Sequence, residues 1–174
     1  MKNLKIYYIN ESYINYLRKF DKNVAYNKNT TRPYIVIVYT YNGYNYFAPL
    51  ASPKLKHIQT NSKAIDIFKI KNGELGVVNI NNMIPTPIEE LTEVLPTITD
   101  KKYRKMLEEQ LTYLNNNKAE LYKKINYFQN MFRKGHLTEN ILERCCDFLL
   151  LEEKFKEYTN NNDLWKIYDE NFKK

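Results

Sequence analysis

Tyr34-Ile35-Val36-Ile37-Val38-Tyr39-Thr40-Tyr41-Asn42-Gly43-Tyr44-Asn45-Tyr46-Phe47-Ala48-Pro49-Leu50 is the stretch that decides the fold. β-Branched and aromatic side chains suit a pleated, half-buried surface, so residues 34–41 and 44–50 read as strands. Asn42-Gly43 between them supplies the positive-φ pair that a two-residue hairpin requires. The same grammar extends outward. Residues 4–9 read as a short strand, and residues 12–20 as a helix that Ser12 caps and on which Tyr13, Tyr16, Leu17 and Phe20 recur at helical spacing. Residues 64–70 and 75–80 flank Asn72-Gly73 as a second hairpin, with Lys71 and Glu74 leaving its loop length open. Pro85 and Pro87 close the strand region and set Thr86 extended.

Beyond Pro96 the apolar period becomes helical. Thr99 or Asp100 caps a helix with Tyr103, Met106, Leu107, Leu111 and Leu114 on one face, ending near Asn115-Asn116-Asn117. Asn117 and Glu120 have capping-box spacing for a second helix, in which Leu121, Ile125 and Phe128 lead to a stop at Gly135. A third spans 138 to about 158, with Ile141, Leu142, Cys145, Leu149 and Phe155 inward. The polar tail from 160 to 174 carries Leu164, Trp165, Ile167, Tyr168 and Phe172, enough to dock as a short helix. Strands first and helices second, without βαβ alternation, predict an α+β fold around an antiparallel sheet. The 174 residues fit one domain over 1–174.

With 43% hydrophobic residues and only 4 Gly and 6 Pro, the composition fills a core and excludes a disordered or collagen-like chain. No apolar run approaches the ~20 residues of a spanning helix, and the N-terminus lacks the pattern of a secretory signal, so a cytoplasmic protein without membrane partners is expected. Adjacent Cys145 and Cys146 form no disulfide framework and, with 2 His and no CxxC, no zinc site; helix core is their expected place. Up to residue 87 the chain has 12 Lys/Arg against 4 Asp/Glu, a net +8, and beyond it 15 against 16, a net −1. A basic excess on one half gathers polyanions, and nucleic acid is the leading class, beside the plainer reading of a solvated basic surface.

The sequence has no GxGxxG, GxxxxGK[ST], HExxH or EF-hand pattern, and the four carboxylates of the basic half, Glu11, Asp21, Asp66 and Glu74, fall on different elements; neither metal nor cofactor is expected. Ala48-Pro49-Leu50-Ala51-Ser52-Pro53-Lys54-Leu55-Lys56-His57 does stand out, with a hydroxyl, two ammonium groups and an imidazole on a turn pinned by prolines. RNA is cut without metal when its own 2′-hydroxyl attacks the adjacent phosphorus, and the protein then supplies a proton acceptor, a proton donor and cations on the transition state. Ser52, Lys54, Lys56 and Arg32 suit the last task, and His57 titrates near neutrality. The equally weighted alternative is a Ser-Pro turn beside a surface histidine.

Four stretches, in order, resemble the ToxN/AbiQ family of type III toxin–antitoxin endoribonucleases: Tyr13-Ile14-Asn15-Tyr16-Leu17 with Phe20-Asp21; Tyr46-Phe47-Ala48-Pro49-Leu50-Ala51-Ser52-Pro53-Lys54 with His57; Leu75-Gly76-Val77-Val78-Asn79 running into Met83-Ile84-Pro85; and Tyr103-Arg104-Lys105-Met106-Leu107 with Leu150-Leu151-Glu152-Glu153-Lys154. The resemblance implies a strongly twisted antiparallel sheet flanked by helices, with a Kid/MazF-like core. It implies metal-independent cleavage of adenine-rich single-stranded RNA to 2′,3′-cyclic phosphate and 5′-hydroxyl ends. It also implies a repeat RNA antitoxin that the toxin processes into pseudoknots, held in a toxin–RNA hetero-oligomer. Ser52 matches the family's active-site serine and Lys54 the lysine after it; Arg32 stands where members carry a basic residue, Tyr103 matches a tyrosine implicated in the AbiQ branch, and Lys134 is carried over on position. Ala51 departs from the hydroxyl residue that some members place before the serine. The expected assignment gives Ser52 to phosphate positioning, Lys54 and Arg32 to charge stabilisation, and His57 or Tyr103 to proton transfer. Tyr13, Tyr26, Tyr34 and Phe47 are candidate base-stacking residues, and Lys28, Lys56 and Lys134 candidate backbone contacts. Two rival readings remain: a non-catalytic RNA-binding module on the same sheet, and a protein-interaction domain built on the helical half.

Overall fold

The computed structural model describes residues 3–26 and 34–172, with the backbone alone for 34–39 and 161–172. Strand β1 (Ile6–Ile9) leads into helix α1 (Glu11–Arg18), which Asn10 caps in place of the expected Ser12: the Asn10 Oδ1 accepts the Ser12 backbone N–H at 3.2 Å. The predicted hairpin joins β2 (Tyr34–Tyr41) to β3 (Tyr44–Ala51), with Tyr41 opposite Tyr44 and positive φ of 47° at Asn42 and 85° at Gly43. After a short helix α2 (Leu55–Gln59), the second hairpin forms from β4 (Ile67–Lys69) and β5 (Val77–Asn79), shorter than expected.

Pro85 and Pro87 do not close the strand region. Ile84 and Pro85 form β6 (Ile84–Pro85), paired with Tyr46 and Phe47 of β3 alone, so the missing proline N–H deprives no second neighbour. β7 (Leu91–Glu93) then returns to pair with β1. All pairings are antiparallel; the sheet order is β4-β5-β3-β2-β1-β7 and the sheet is curled. β3 is its centre, with β2 along one edge and β6 and then β5 along the other.

Helix α3 (Lys101–Asn116) is capped by Asp100, whose Oδ1 accepts the Tyr103 N–H at 3.0 Å. Helix α4 (Lys118–Arg133) follows, but the Asn117 side chain donates back to the Tyr113 carbonyl at 2.8 Å and forms no capping box. Gly135, with φ 67°, lies just beyond its end. The expected third helix is split into α5 (Glu139–Leu142) and α6 (Phe148–Phe172), which takes in most of the tail. Leu142 and Leu149, expected inward, are 44% and 58% exposed because the break resets the helical phase. Cys145 and Cys146 are buried as expected, but in the turn between the two helices.

The core lies between sheet and helices. Phe148 meets Tyr46, Phe128 and Phe132 edge-on at centroid distances of 5.8, 6.3 and 4.7 Å. Beneath them Glu152 accepts from the Tyr46 hydroxyl and from Arg133 Nη2, whose guanidinium lies 3.7 Å over the Tyr41 ring. Among the described residues no helix is long and apolar enough to cross a membrane.

Candidate active site

β3 leaves the sheet at Ala51, and Ser52-Pro53 turn the chain into α2, with Lys54 extended at its N-cap. The turn rests on glycine. A Cβ on Gly76 would lie 2.0 Å from the Ala51 carbonyl oxygen, and one on Gly73 would lie 2.6 Å from that of His57. Both glycines also have positive φ, 97° and 96°. The β4–β5 connection is thus a platform beneath the turn, braced by Gln110 Nε2 donating to the Leu75 carbonyl at 2.6 Å. Lys69 Nζ donates to the Ile58 carbonyl at 2.9 Å and ties α2 to the second hairpin.

Ser52, Lys54 and Lys56 are exposed, whereas His57 is only 6% exposed. Burial lowers the His57 pKa from 6.5, helped by the charges of Lys56 and Lys54, while a hydrogen bond to the Ser52 backbone pulls the other way. Its Nδ1 is buried with no hydrogen-bond partner among the described residues.

Lys56 and His57 line a cleft of about 620 Å³ with Arg18 from the last turn of α1, Lys22, Asn23 and Tyr26 from the chain after it, Asn79 at the end of β5, Asn81 and Asn82 just beyond, and Arg144 from the α5–α6 turn. Among the described residues four side-chain cations and one carboxylate line it; the carboxylate, Asp66, pairs with Arg144 at 3.0 Å. Arg18 donates to the Val24 carbonyl and lies 5.5 Å over the half-exposed Tyr26 ring. A basic cleft with an aromatic face and several amides recognises phosphates and unstacked bases. Among the described residues no three His, Cys, Asp or Glu stand together as a metal site.

The structure therefore gathers Ser52, Lys54, Lys56 and His57 on one turn; Lys56 and His57 line the cleft with Tyr26, and Ser52 and Lys54 lie outside its lining. Arg32 and Lys28 lie outside the described residues, and Tyr34 is described by its backbone alone, opposite Pro49. Tyr13 is corrected: it is fully buried, its hydroxyl donates to the Pro85 carbonyl at 2.6 Å and its ring meets Tyr158, so no face is open to a base. Phe47, 2% exposed, is likewise core. Tyr103 stands partly buried on α3 near Tyr8 and does not line the cleft; burial raises its pKa, with Tyr8 adding to the effect. Lys134, exposed at the end of α4, is also outside the cleft lining. Sequence reasoning missed Arg18, Lys22, the asparagines 79, 81 and 82, and Arg144. The run Asn79-Ile80-Asn81-Asn82 after a strand was the one local signal for any of them.

A family model described as "Toxin ToxN, type III toxin-antitoxin system" matches residues 5–156. The chain is 32% identical over 165 residues to "Endoribonuclease ToxN" of Bacillus thuringiensis subsp. kurstaki, covering 90% of this chain and 84% of that one. It superposes with a TM-score of 0.78 and 28% identity on the lactococcal anti-phage endoribonuclease AbiQ, described as belonging to the type III toxin–antitoxin system, covering 91% of this chain and 99% of that one. A further structure, described as a type III system with selective toxin inhibition by a non-coding RNA pseudoknot, gives 0.74 and 29% identity, with 91% and 99% covered.

Proposed function

The chain belongs to the ToxN family of type III toxin–antitoxin systems, and from that premise we propose that residues 1–174 form one endoribonuclease toxin domain that cuts single-stranded RNA in the Lys56–His57 cleft. The observation that carries this reading is His57: an imidazole depressed in pKa by burial, lining a cleft whose other charges among the described residues are mostly cationic. At neutral pH such an imidazole is uncharged and accepts a proton. The RNA 2′-hydroxyl gives its proton to this base as its oxygen bonds to phosphorus; the bond from phosphorus to the 5′-oxygen breaks, and that oxygen takes a proton from water as it leaves. The products are a 2′,3′-cyclic phosphate and a 5′-hydroxyl. Ser52 and Lys54, at the turn, and Lys56, in the cleft, stabilise the extra negative charge on the phosphate. The substrate brings its own nucleophile, so Ser52 positions and does not form a covalent intermediate.

The same basic cleft suits an RNA antitoxin. The relative inhibited by an RNA pseudoknot supports a repeat RNA partner that the toxin processes and that then fills its groove in a toxin–RNA assembly. Such substrates put the protein in the cytoplasm. The test incubates wild type, Ser52→Ala and His57→Asn with adenine-rich single-stranded RNA in EDTA and analyses the ends. Cyclic-phosphate and 5′-hydroxyl ends from wild type alone are expected. RNA bound by all three and cut by none would make the protein a binding module instead.

A further inference from the structure

We propose that Arg144 is a substrate-binding residue of the cleft that Lys56 and His57 also line, its guanidinium taking an RNA phosphate, with Asp66 and Asn140 as its positioning residues. The proposal rests on the RNA reading above and adds a binding cation to it.

Three observations carry it. First, the guanidinium is held and only partly used. Its Nε donates to Asp66 Oδ2 at 3.0 Å, and its Nη1 to both the backbone carbonyl and the side-chain oxygen of Asn140, each at 3.0 Å. Nη2 makes no hydrogen bond among the described residues, and the side chain is 50% exposed in the cleft. A planar fork held at two nitrogens presents the third with little rotamer freedom left to lose when an anion arrives.

Second, the turn does not need this side chain to stay in place. The Arg144 carbonyl accepts from Asn81 Nδ2 at 2.7 Å and Asn82 Nδ2 at 3.1 Å. Cys146 N–H donates to the Asn81 carbonyl at 2.8 Å, Asn23 Nδ2 to the Cys145 carbonyl at 2.9 Å, and Asp147 N–H to Asp21 Oδ2 at 2.8 Å. Main-chain groups stitch the turn to both neighbouring segments, so the backbone keeps its place without the side chain, and what Arg144→Ala loses is the partner of Asp66.

Third, Asp66 is the cleft's single carboxylate among the described residues, and it is 6% exposed. A buried carboxylate in a groove for polyanions would oppose its ligand; paired with Arg144 it serves instead to hold the cation outward. Arg144 and Lys56 then contact phosphates of one strand in the same cleft.

The experiment measures binding of a 2′-O-methyl oligonucleotide, which lacks the attacking hydroxyl and stays intact, across a salt series for wild type, Arg144→Ala, Arg144→Gln and Arg144→Lys. Cleavage of unmodified RNA is followed in parallel. Arg144→Ala and Arg144→Gln should each bind roughly tenfold more weakly, with the log–log salt slope shallower by about 0.7, one phosphate's worth for a single strand. Arg144→Lys should recover the slope but only part of the affinity. Cleavage should lose through KM more than through kcat, and Tm should fall in both neutral variants, which leave the Asp66 carboxylate unpaired, but be largely held in Arg144→Lys. Wild-type affinity and an unchanged slope in both neutral variants overturn the proposal. A wild type that binds but does not cut unmodified RNA overturns the nuclease reading, and the slopes still decide Arg144; one that neither binds nor cuts overturns both.

Discussion

His57 sits in two ledgers, protonation and position. Its folded pKa lies below its ordinary 6.5, so the unfolded chain binds the proton more tightly. Stability from this group is complete above about pH 6.5 and falls as the pH drops toward the depressed folded value. Urea midpoints taken from pH 8 to 5 should decline on the acid side, and less so in His57→Asn. In activity the same group should give an acid limb whose midpoint lies under 6.5, and His57→Asn should cost roughly 10²-fold or more in kcat. An unaltered pH–rate profile in that variant would move proton transfer to another group. The residues around His57 differ in how far sequence revealed them. Ser52, Lys54, Lys56 and His57 were readable because one short turn carries all four. Arg144 was not, because nothing in its own neighbourhood marks it: the hydrogen bond that defines it spans 78 residues, to Asp66. Tyr13 misled because a buried tyrosine with its hydroxyl satisfied and an exposed stacking tyrosine look alike in sequence.

At the scale of elements, the two hairpins use glycine for different ends. Gly43 has open space around the position a Cβ would take, whereas Gly76 faces the Ala51 carbonyl oxygen at 2.0 Å. Gly43→Ala therefore meets only backbone strain, about 1–2 kcal/mol, and should lower Tm by a few degrees while RNA is cut at the parental rate. Gly76→Ala must push the Ser52 turn away, and cleavage should disappear even where circular dichroism shows the fold retained; parental activity in Gly76→Ala would mean the platform does not fix the turn. The first hairpin was readable from its sequence because the turn requirement is local. β6 and β7 were not, since runs of two or three residues beside prolines carry no alternation to detect, and only their partners β3 and β1 make them strands. The break between α5 and α6 was missed for a related reason. Its apolar spacing continues through Cys145 and Cys146, while the backbone there is drawn off by Asn81 and Asp21.

Across the molecule, Glu152 joins three elements: β3 through Tyr46, α4 through Arg133, and its own α6. Arg133 and Glu152 side chains are 15% and 13% exposed, so neither charge has water to fall back on. Glu152→Ala strands a buried guanidinium and should cost about 3–5 kcal/mol, a Tm fall of roughly 10 °C or more. A loss under 1 kcal/mol by urea titration would mean that the pair behaves as a surface bridge. Replacing both Arg133 and Glu152 by apolar residues should cost less than Glu152→Ala alone.

The stitching of the α5–α6 turn to residues 21–23 and 81–82 sets the timing of the toxin's birth. Asp21 and Asp147 are 126 residues apart, and Asp66 and Arg144 are 78 apart. A ribosome adding roughly 5–20 residues per second needs about 4 to 16 s to travel from Asp66 to Arg144. Throughout that interval Ser52 and His57 are already translated but Arg144 is not, and Gln110, which braces the platform beneath the turn, arrives only part-way through it. Nascent chains stalled before Arg144 should therefore neither grip nor cut RNA as longer chains do.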